Sequence, residues 1–508
     1  MVIFLKLFPC LLITFTIYLY FQSSAKKISK STGFKTYPLV GILPELLKNH
    51  HRFLDWTTEV LTDCPRNTAI LRCSRKAKDV MTANPLLVEY MAKTNFDNYP
   101  KGHQFTSHLV DLFGKSGLFT SDGKMWKMQR KTTSHEFNTN TFKNFFLENV
   151  VLEIEKRLLP VLGAAAVSKS CPVLDLQDIF QRLGFDISFK MAFNVDLACL
   201  GGTHHESTVA GDEVIMTAYQ DATKLSTNRF ISPLWKVKKF LNLGSEKRLR
   251  ESITTVHEFV DKIIRSRINK GGRGGGDDFL SRLMISANGI INSPEFLRDM
   301  TLAFILAAKD TMSTALTWLF WLVSSRPEIQ HKILMELESI RIRYHKNIGE
   351  YSYSYEQLRE MHYIHATITE TMRLYPPVPI ESRACLNDDV LPDGTVVGKN
   401  STVTYNAYAM GRMESIWGKN CYEFRPERWL QDGVFRQESP YRYPIFHAGP
   451  RICLGKDIAY IQMKSIVAAV IDRFEIKVQK EGTCPEHMLS SLMLTFKGGL
   501  PVTIVERK

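Results

Sequence analysis

Near the C-terminus a cysteine stands between two glycines, just ahead of a long apolar stretch: Phe446-His447-Ala448-Gly449-Pro450-Arg451-Ile452-Cys453-Leu454-Gly455. The residues that follow, Ile458 to Ile471, are apolar at helical spacing, which sets Cys453 just before a helix N-terminus. Amide donors and the helix dipole favour an anion there, so the position predicts a thiol held as thiolate. Gly449 and Gly455 let the backbone pass close to a flat cofactor without a Cβ in the way. A lone buried cysteine is ordinarily a small hydrophobe; the surrounding pattern FxxGxRxCxG gives this one a different reading.

The other cysteines leave room for such a special thiolate. The 508 residues hold nine, widely spaced and with no CxxC pair, which argues against a disulfide framework and a cysteine-based structural zinc site. A reducing, cytosol-facing setting suits this usage. The formal charge of +13 suits an acidic partner or an anionic lipid surface. Lys and Arg are scattered and no nucleic-acid-binding signature appears, so nucleic acid is excluded as a partner. At the other end, Val2 to Phe21 is an apolar run broken by Lys6 and Pro9, long enough at about 20 residues to span a bilayer as a helix. Lys26, Lys27, Lys30 and Lys35 follow it and place that side in the cytosol. The division expected is an anchor over 1–22, a basic and proline hinge over 23–41 containing Tyr37-Pro38-Leu39-Val40-Gly41, and a catalytic domain over 42–508. Lys270 to Gly276 (KGGRGGG) reads as a short flexible linker within that domain.

Three further motifs accompany the cysteine segment. Glu370-Thr371-Met372-Arg373 places a carboxylate and a guanidinium three apart on one helix face. Phe424-Arg425-Pro426-Glu427-Arg428-Trp429 follows it, and upstream Trp126 and Arg130 share a helix face at i,i+4. The stretch Leu297 to Val323 reads as one long buried helix carrying Asp310-Thr311, polar groups that need partners when buried. FxxGxRxCxG, ExxR, the PERF-type segment and WxxxR, in this order and spacing, resemble the cytochrome P450 superfamily over nearly the whole chain after the anchor.

The resemblance implies a mainly α fold with a small β-rich lobe behind a single N-terminal transmembrane anchor. It implies haem b with Cys453 as axial thiolate ligand. Phe446 and Gly449 would lie against the haem, Arg451 would pair with a propionate, and Trp126 and Arg130 would stand at a propionate as donors. Glu370, Arg373 and Arg428 would form a structural ion network behind the haem. Thr311 and Asp310 would manage protons for O–O cleavage; Thr311 can also bond the carbonyl of Ala307. Ala308 stands where the family commonly has glycine, and Met312 where a second hydroxyl is common. Helices are predicted around 122–160, 295–325, 355–375 and 453–473, with strands at 68–73, 78–82, 380–405 and 490–506.

Longer phrases are similar to plant P450 family 94, in the clan of fatty-acid ω-hydroxylases: Phe96 to Gly102 (FDNYPKG), Phe119 to Arg130, Ser134 to Phe137, Val390 to Thr395 and Lys456 to Ser465. They imply hydroxylation at the end of an aliphatic chain, in an apolar channel lined by Phe105, Leu118, Phe119, Phe304, Ala308, Val378 and Ile380. Leu492 and Leu494 would close that channel, and Lys101 or His103 would meet a carboxylate. Jasmonoyl-isoleucine and a steroid side chain are alternative substrates, and a haem protein without monooxygenase turnover is the alternative of a different class. No GxGxxG fingerprint is present, so electrons would come from NADPH through a separate P450 reductase. The expected location is the endoplasmic reticulum membrane, with the catalytic domain cytosolic.

Overall fold

The structure, a computed structural model, describes residues 33–37, 41–72, 78–137, 139–201, 212–232, 234–270, 276–286, 293–347, 349–479 and 484–507. The apolar run 2–21 and most of the 270–276 linker lie outside these residues. Among the described residues no helix is long and apolar enough to cross a membrane. In the expected hinge, Tyr37 and Gly41 exchange backbone hydrogen bonds of 2.8 and 2.9 Å. Two compact units divide the chain, so the 42–508 stretch is shared between them: 1–102, 379–422 and 439–451 in the first, 103–378, 423–438 and 452–508 in the second.

The first unit packs helix α1 (Phe53–Asp63), which buries Leu54, Trp56 and Leu61, and carries a four-stranded sheet. Its strands are β1 (Thr68–Arg72), β2 (Lys78–Thr82), β3 (Ile380–Ala384) and β4 (Thr402–Asn406), in the spatial order β1-β2-β4-β3. The 2 and 4 strands run parallel; the other two pairings are antiparallel. The side chains of β3 alternate between faces, and the face it buries carries Glu381 and Arg383. Register sets Glu381 opposite Tyr405. The predicted strand over 380–405 is therefore two strands, separated by a small Asp389–Val390/Val396–Val397 ladder.

The second unit is helical. Its main helices are α2 (Gly102–Phe113), α3 (Gly123–Phe137), α4 (Leu176–Phe193), α5 (Asp212–Asn228), α6 (Ser245–Asn269), α7 (Pro294–Ser324), α8 (His362–Leu374) and α9 (Lys456–Arg473). A hairpin, β5 (His487–Ser490) with β6 (Met493–Phe496), turns at Ser491 and Leu492, both at positive φ. The 31-residue α7 starts where Ser293 caps the Phe296 amide and Pro294 takes a position that needs no N–H. Apolar on most sides, it is the buried axis of the unit. Gly184 brings α4 against it: a Cβ there would lie 3.1 Å from the Lys309 carbonyl. The helix expected over 122–160 stops at α3 and restarts at Asn140, because the Thr139 hydroxyl caps the Phe142 amide. The helix expected over 355–375 breaks at Met361, whose ψ of 79° leaves the helical region.

Candidate active site

In the first unit the polar face of β3 gathers an unusual charge. Lys101 is buried and ion-paired with Glu381, and Arg383 reaches the same carboxylate at 2.5 Å. The Tyr405 hydroxyl and the His447 Nδ1 lie 3.0 Å apart. Burial pulls the Lys101 ammonium down to about 8, Arg383 and Arg451 acting in the same direction while Glu381 opposes. Burial alone would raise Glu381, but Lys101 and Arg383 outweigh it and hold the carboxyl far below the usual range. Burial pulls His447 down to about 4, Lys101, Arg383 and Arg451 adding to it against Glu381. Lys101 and Arg383 thus share one buried carboxylate, and Arg451 is near enough to act on Lys101 and His447.

Of the two residues expected to meet a substrate carboxylate, Lys101 is buried with its charge engaged by Glu381, and His103 is exposed. Glu381, Arg383, His447 and Tyr405 were not singled out from sequence, although an i,i+2 Glu–Arg pair inside a strand is a signal, because it puts two charges on one face. Gly449 has φ 63°, and a Cβ on it would sit 1.8 Å from the Ala92 carbonyl oxygen. The chain's own backbone therefore requires a glycine here. Phe446 is half-buried at the end of a short helical turn, Pro444–Phe446.

The second unit holds the thiol. Gly455 precedes α9, its N–H donates to the Cys453 sulfur, and Arg130 and Lys456 add positive charge. Burial nevertheless outweighs these groups and pushes the thiol up. A metal cation would supply the difference, since a coordinated thiol is deprotonated outright. Arg130 of α3 donates to the carbonyl of Ile452, next to the thiol, and Trp126 is buried one turn earlier.

Behind α8, Glu370 and Arg373 are fully buried and paired through two bonds of 2.8 Å. Glu370 also accepts from the Arg425 amide at 2.9 Å, Arg428 at 3.3 Å and the Trp429 indole at 2.8 Å, while Arg373 donates to the Glu423 carbonyl. Trp429 is a member that the sequence reading did not include.

On α7, Thr311 donates to the Ala307 carbonyl at 2.6 Å. Ala307 is exposed and Ala308 and Thr311 are half-buried on a helix otherwise mostly enclosed, so they form its open face. Ala307 belongs in that set and was missed. Met312 packs beside Gly184, so its side chain belongs to the α4 contact. Asp310 is buried and paired with Lys309 at 2.7 Å. Among the channel candidates, Phe304 stacks on Phe279 at 4.7 Å, Phe105 leans on Phe230 at 5.4 Å and Phe119 meets Phe113 edge-on at 6.4 Å. Val378, Ile380, Leu118 and Leu492 are half-buried, and Leu494 is buried with its carbonyl accepting from Trp318.

Residues 32–500 match the cytochrome P450 family. A Paris polyphylla protein, cytochrome P450 CYP94D108, is 45% identical over 92% of this chain and 91% of its own length. The chain is a cytochrome P450 of family 94. Other similar relatives are cytochrome P450 94C1 of Arabidopsis thaliana, 43% identical over 89% of each chain, and cytochrome P450 94A1 of Vicia sativa, 40% identical over 93% of this chain and 90% of its own. As a P450 it is a haem-thiolate monooxygenase, and its own residues fit that group. Cys453 offers the thiolate. In the first unit, Arg383 and Arg451 are buried guanidinium groups, a chemistry well shaped for a haem carboxylate.

Proposed function

We propose that this P450 hydroxylates the terminal carbon of a fatty acid: R–H, O2, two electrons and two protons give R–OH and water. An NADPH-dependent reductase would deliver the electrons. Membership of family 94 and the phrases shared with ω-hydroxylases support this reading. The observation that carries it is the open face of α7, which bears the small apolar Ala307 and Ala308 and a single hydroxyl, Thr311. Lys309 and Asp310 are buried away from that face. A saturated chain end, which offers no polar atom, suits such a surface.

Bound through Cys453, the haem supplies oxygen activation, the thiolate pushing electron density that favours O–O cleavage. Thr311 and Asp310 handle the protons. The run 2–21 followed by four lysines supports an anchor in the endoplasmic reticulum membrane with the enzyme on the cytosolic side. The charge of +13 suits an acidic reductase, a pairing that speeds encounter more than it tightens binding.

The test is turnover in microsomes containing reductase and NADPH, offered a fatty acid, jasmonoyl-isoleucine and a sterol separately. An ω-hydroxy acid from the first is the expected product. Product from only one of the others would keep the chemistry and overturn the substrate. No product from any, with an intact thiolate-haem spectrum, would favour a haem protein without turnover.

A further inference from the structure

Lys309 and Asp310 are sequence neighbours on a helix, where consecutive side chains do not naturally face each other. Here they do: the ammonium folds back onto Asp310 Oδ1 at 2.7 Å, and both side chains are buried. The surrounding packing fixes this arrangement. Gly184 lets α4 close on the Lys309 backbone, and the Phe185 ring covers the ammonium at 5.9 Å. The nearby Tyr219 hydroxyl is engaged with the Leu302 carbonyl at 3.1 Å. The other carboxylate oxygen, Asp310 Oδ2, has no hydrogen-bond partner among the described residues.

A polar cleft of about 200 Å³ lies beside the pair, between α4, α5, α7 and the β5–β6 hairpin. Gln181, Gln220, Thr223, Ser313, Thr314 and Ser490 line it, together with Lys309 and Asp310. Its wall grades from Lys224, which is exposed, to the buried pair. At roughly 30 Å³ per molecule the cleft has room for several waters, and its hydroxyls and amides provide the partners they need.

We infer that Lys309 is a positioning residue that tethers the Asp310 carboxylate at the inner end of this polar cleft, where it takes up solvent protons for the reaction. The inference rests on Asp310 and Thr311 handling protons in the monooxygenase cycle. Each turnover takes two electrons from NADPH and two protons from solvent, and one oxygen atom leaves as water. One Asp310 oxygen is held by the ammonium and the other is buried without a hydrogen-bond partner among the described residues; the carboxylate, at the cleft wall, accepts a proton from water there and returns to the carboxylate form on passing it toward Thr311. The tether has a physical reason: a buried carboxylate without a counter-charge is costly and would turn or take another partner.

The test compares Lys309→Met, Lys309→Arg and Asp310→Asn in the reductase-reconstituted holoenzyme. For Lys309→Met we expect product per NADPH to fall five- to tenfold, a larger solvent deuterium isotope effect on product formation, and an unchanged substrate KM and thiolate-haem spectrum. Lys309→Arg should restore coupling to within twofold. In a crystal structure of the Met variant the Asp310 carboxylate should have left its wild-type position. If the Met variant folds poorly, Lys309→Gln takes its place. Full coupling in the neutral variants together with an uncoupled Asp310→Asn would overturn the role of Lys309 while leaving that of Asp310 intact. Full coupling in Asp310→Asn would instead overturn the proton-handling assignment on which the inference rests. An Asp310 carboxylate unmoved in the Met variant would also overturn the tether.

Discussion

Individual side chains make the sharpest demands. Thr311 binds the Ala307 carbonyl on the open face of α7, so Thr311→Ala removes a hydroxyl without disturbing the core. The variant should keep its haem and consume NADPH with much less product; the ratio of product to NADPH checks this, and an unchanged ratio would take Thr311 out of the chemistry. Glu370 is different, because four residues donate to it: the side chains of Arg373, Arg428 and Trp429 and the Arg425 amide. Glu370→Gln keeps the shape but removes the carboxylate that pairs with both Arg373 and Arg428. A loss of about 3–5 kcal/mol is expected, the usual cost of breaking a buried pair, read from the urea midpoint. His447 gives a pH signature. Its folded value is about 4, against about 6.5 in an unfolded chain, so the folded state binds fewer protons between those values. Its contribution is full above pH 6.5 and is lost as pH falls toward 4. Melting temperatures should therefore drop from pH 7 to pH 5 more steeply in wild type than in His447→Gln.

At the scale of elements, the contact of α4 with α7 depends on one absent side chain. A Cβ at Gly184 would press on the Lys309 carbonyl, which is backbone and cannot swing aside, and on the Met312 methyl, which can. Gly184→Ala should cost about 1–3 kcal/mol, the range for overpacking, measured by thermal unfolding; no loss would show that the two helices part freely. The long buried α7 was legible from sequence, because a continuous apolar stretch with a Ser-Pro start leaves few alternatives. So was the onset of α9 after Cys453. The break after α3 was not, since Thr139 stops the helix by a side-chain cap inside an otherwise helical run. Likewise the Glu370–Arg373 pair followed from spacing, whereas Trp429 joined it through folding that spacing does not encode.

For the whole molecule, the pattern around Cys453 announced the chemistry, but the buried charge cluster around Glu381 had to be seen folded. Lys101, Glu381, Arg383 and His447 come from three separated stretches of the chain, and only the sheet register and burial unite them. The thiol makes the same point in reverse: the helix start, Arg130 and Lys456 favour a thiolate, yet burial pushes the group toward its neutral form. Cys453 is the proposed thiolate ligand of the haem iron. The reduced carbon-monoxide difference spectrum of wild type beside Cys453→Ala measures this most directly. The wild-type protein should give the thiolate-haem band and the variant should lose it, with or without residual haem. The same band in the variant would place the iron on another ligand and contradict the assignment of Cys453.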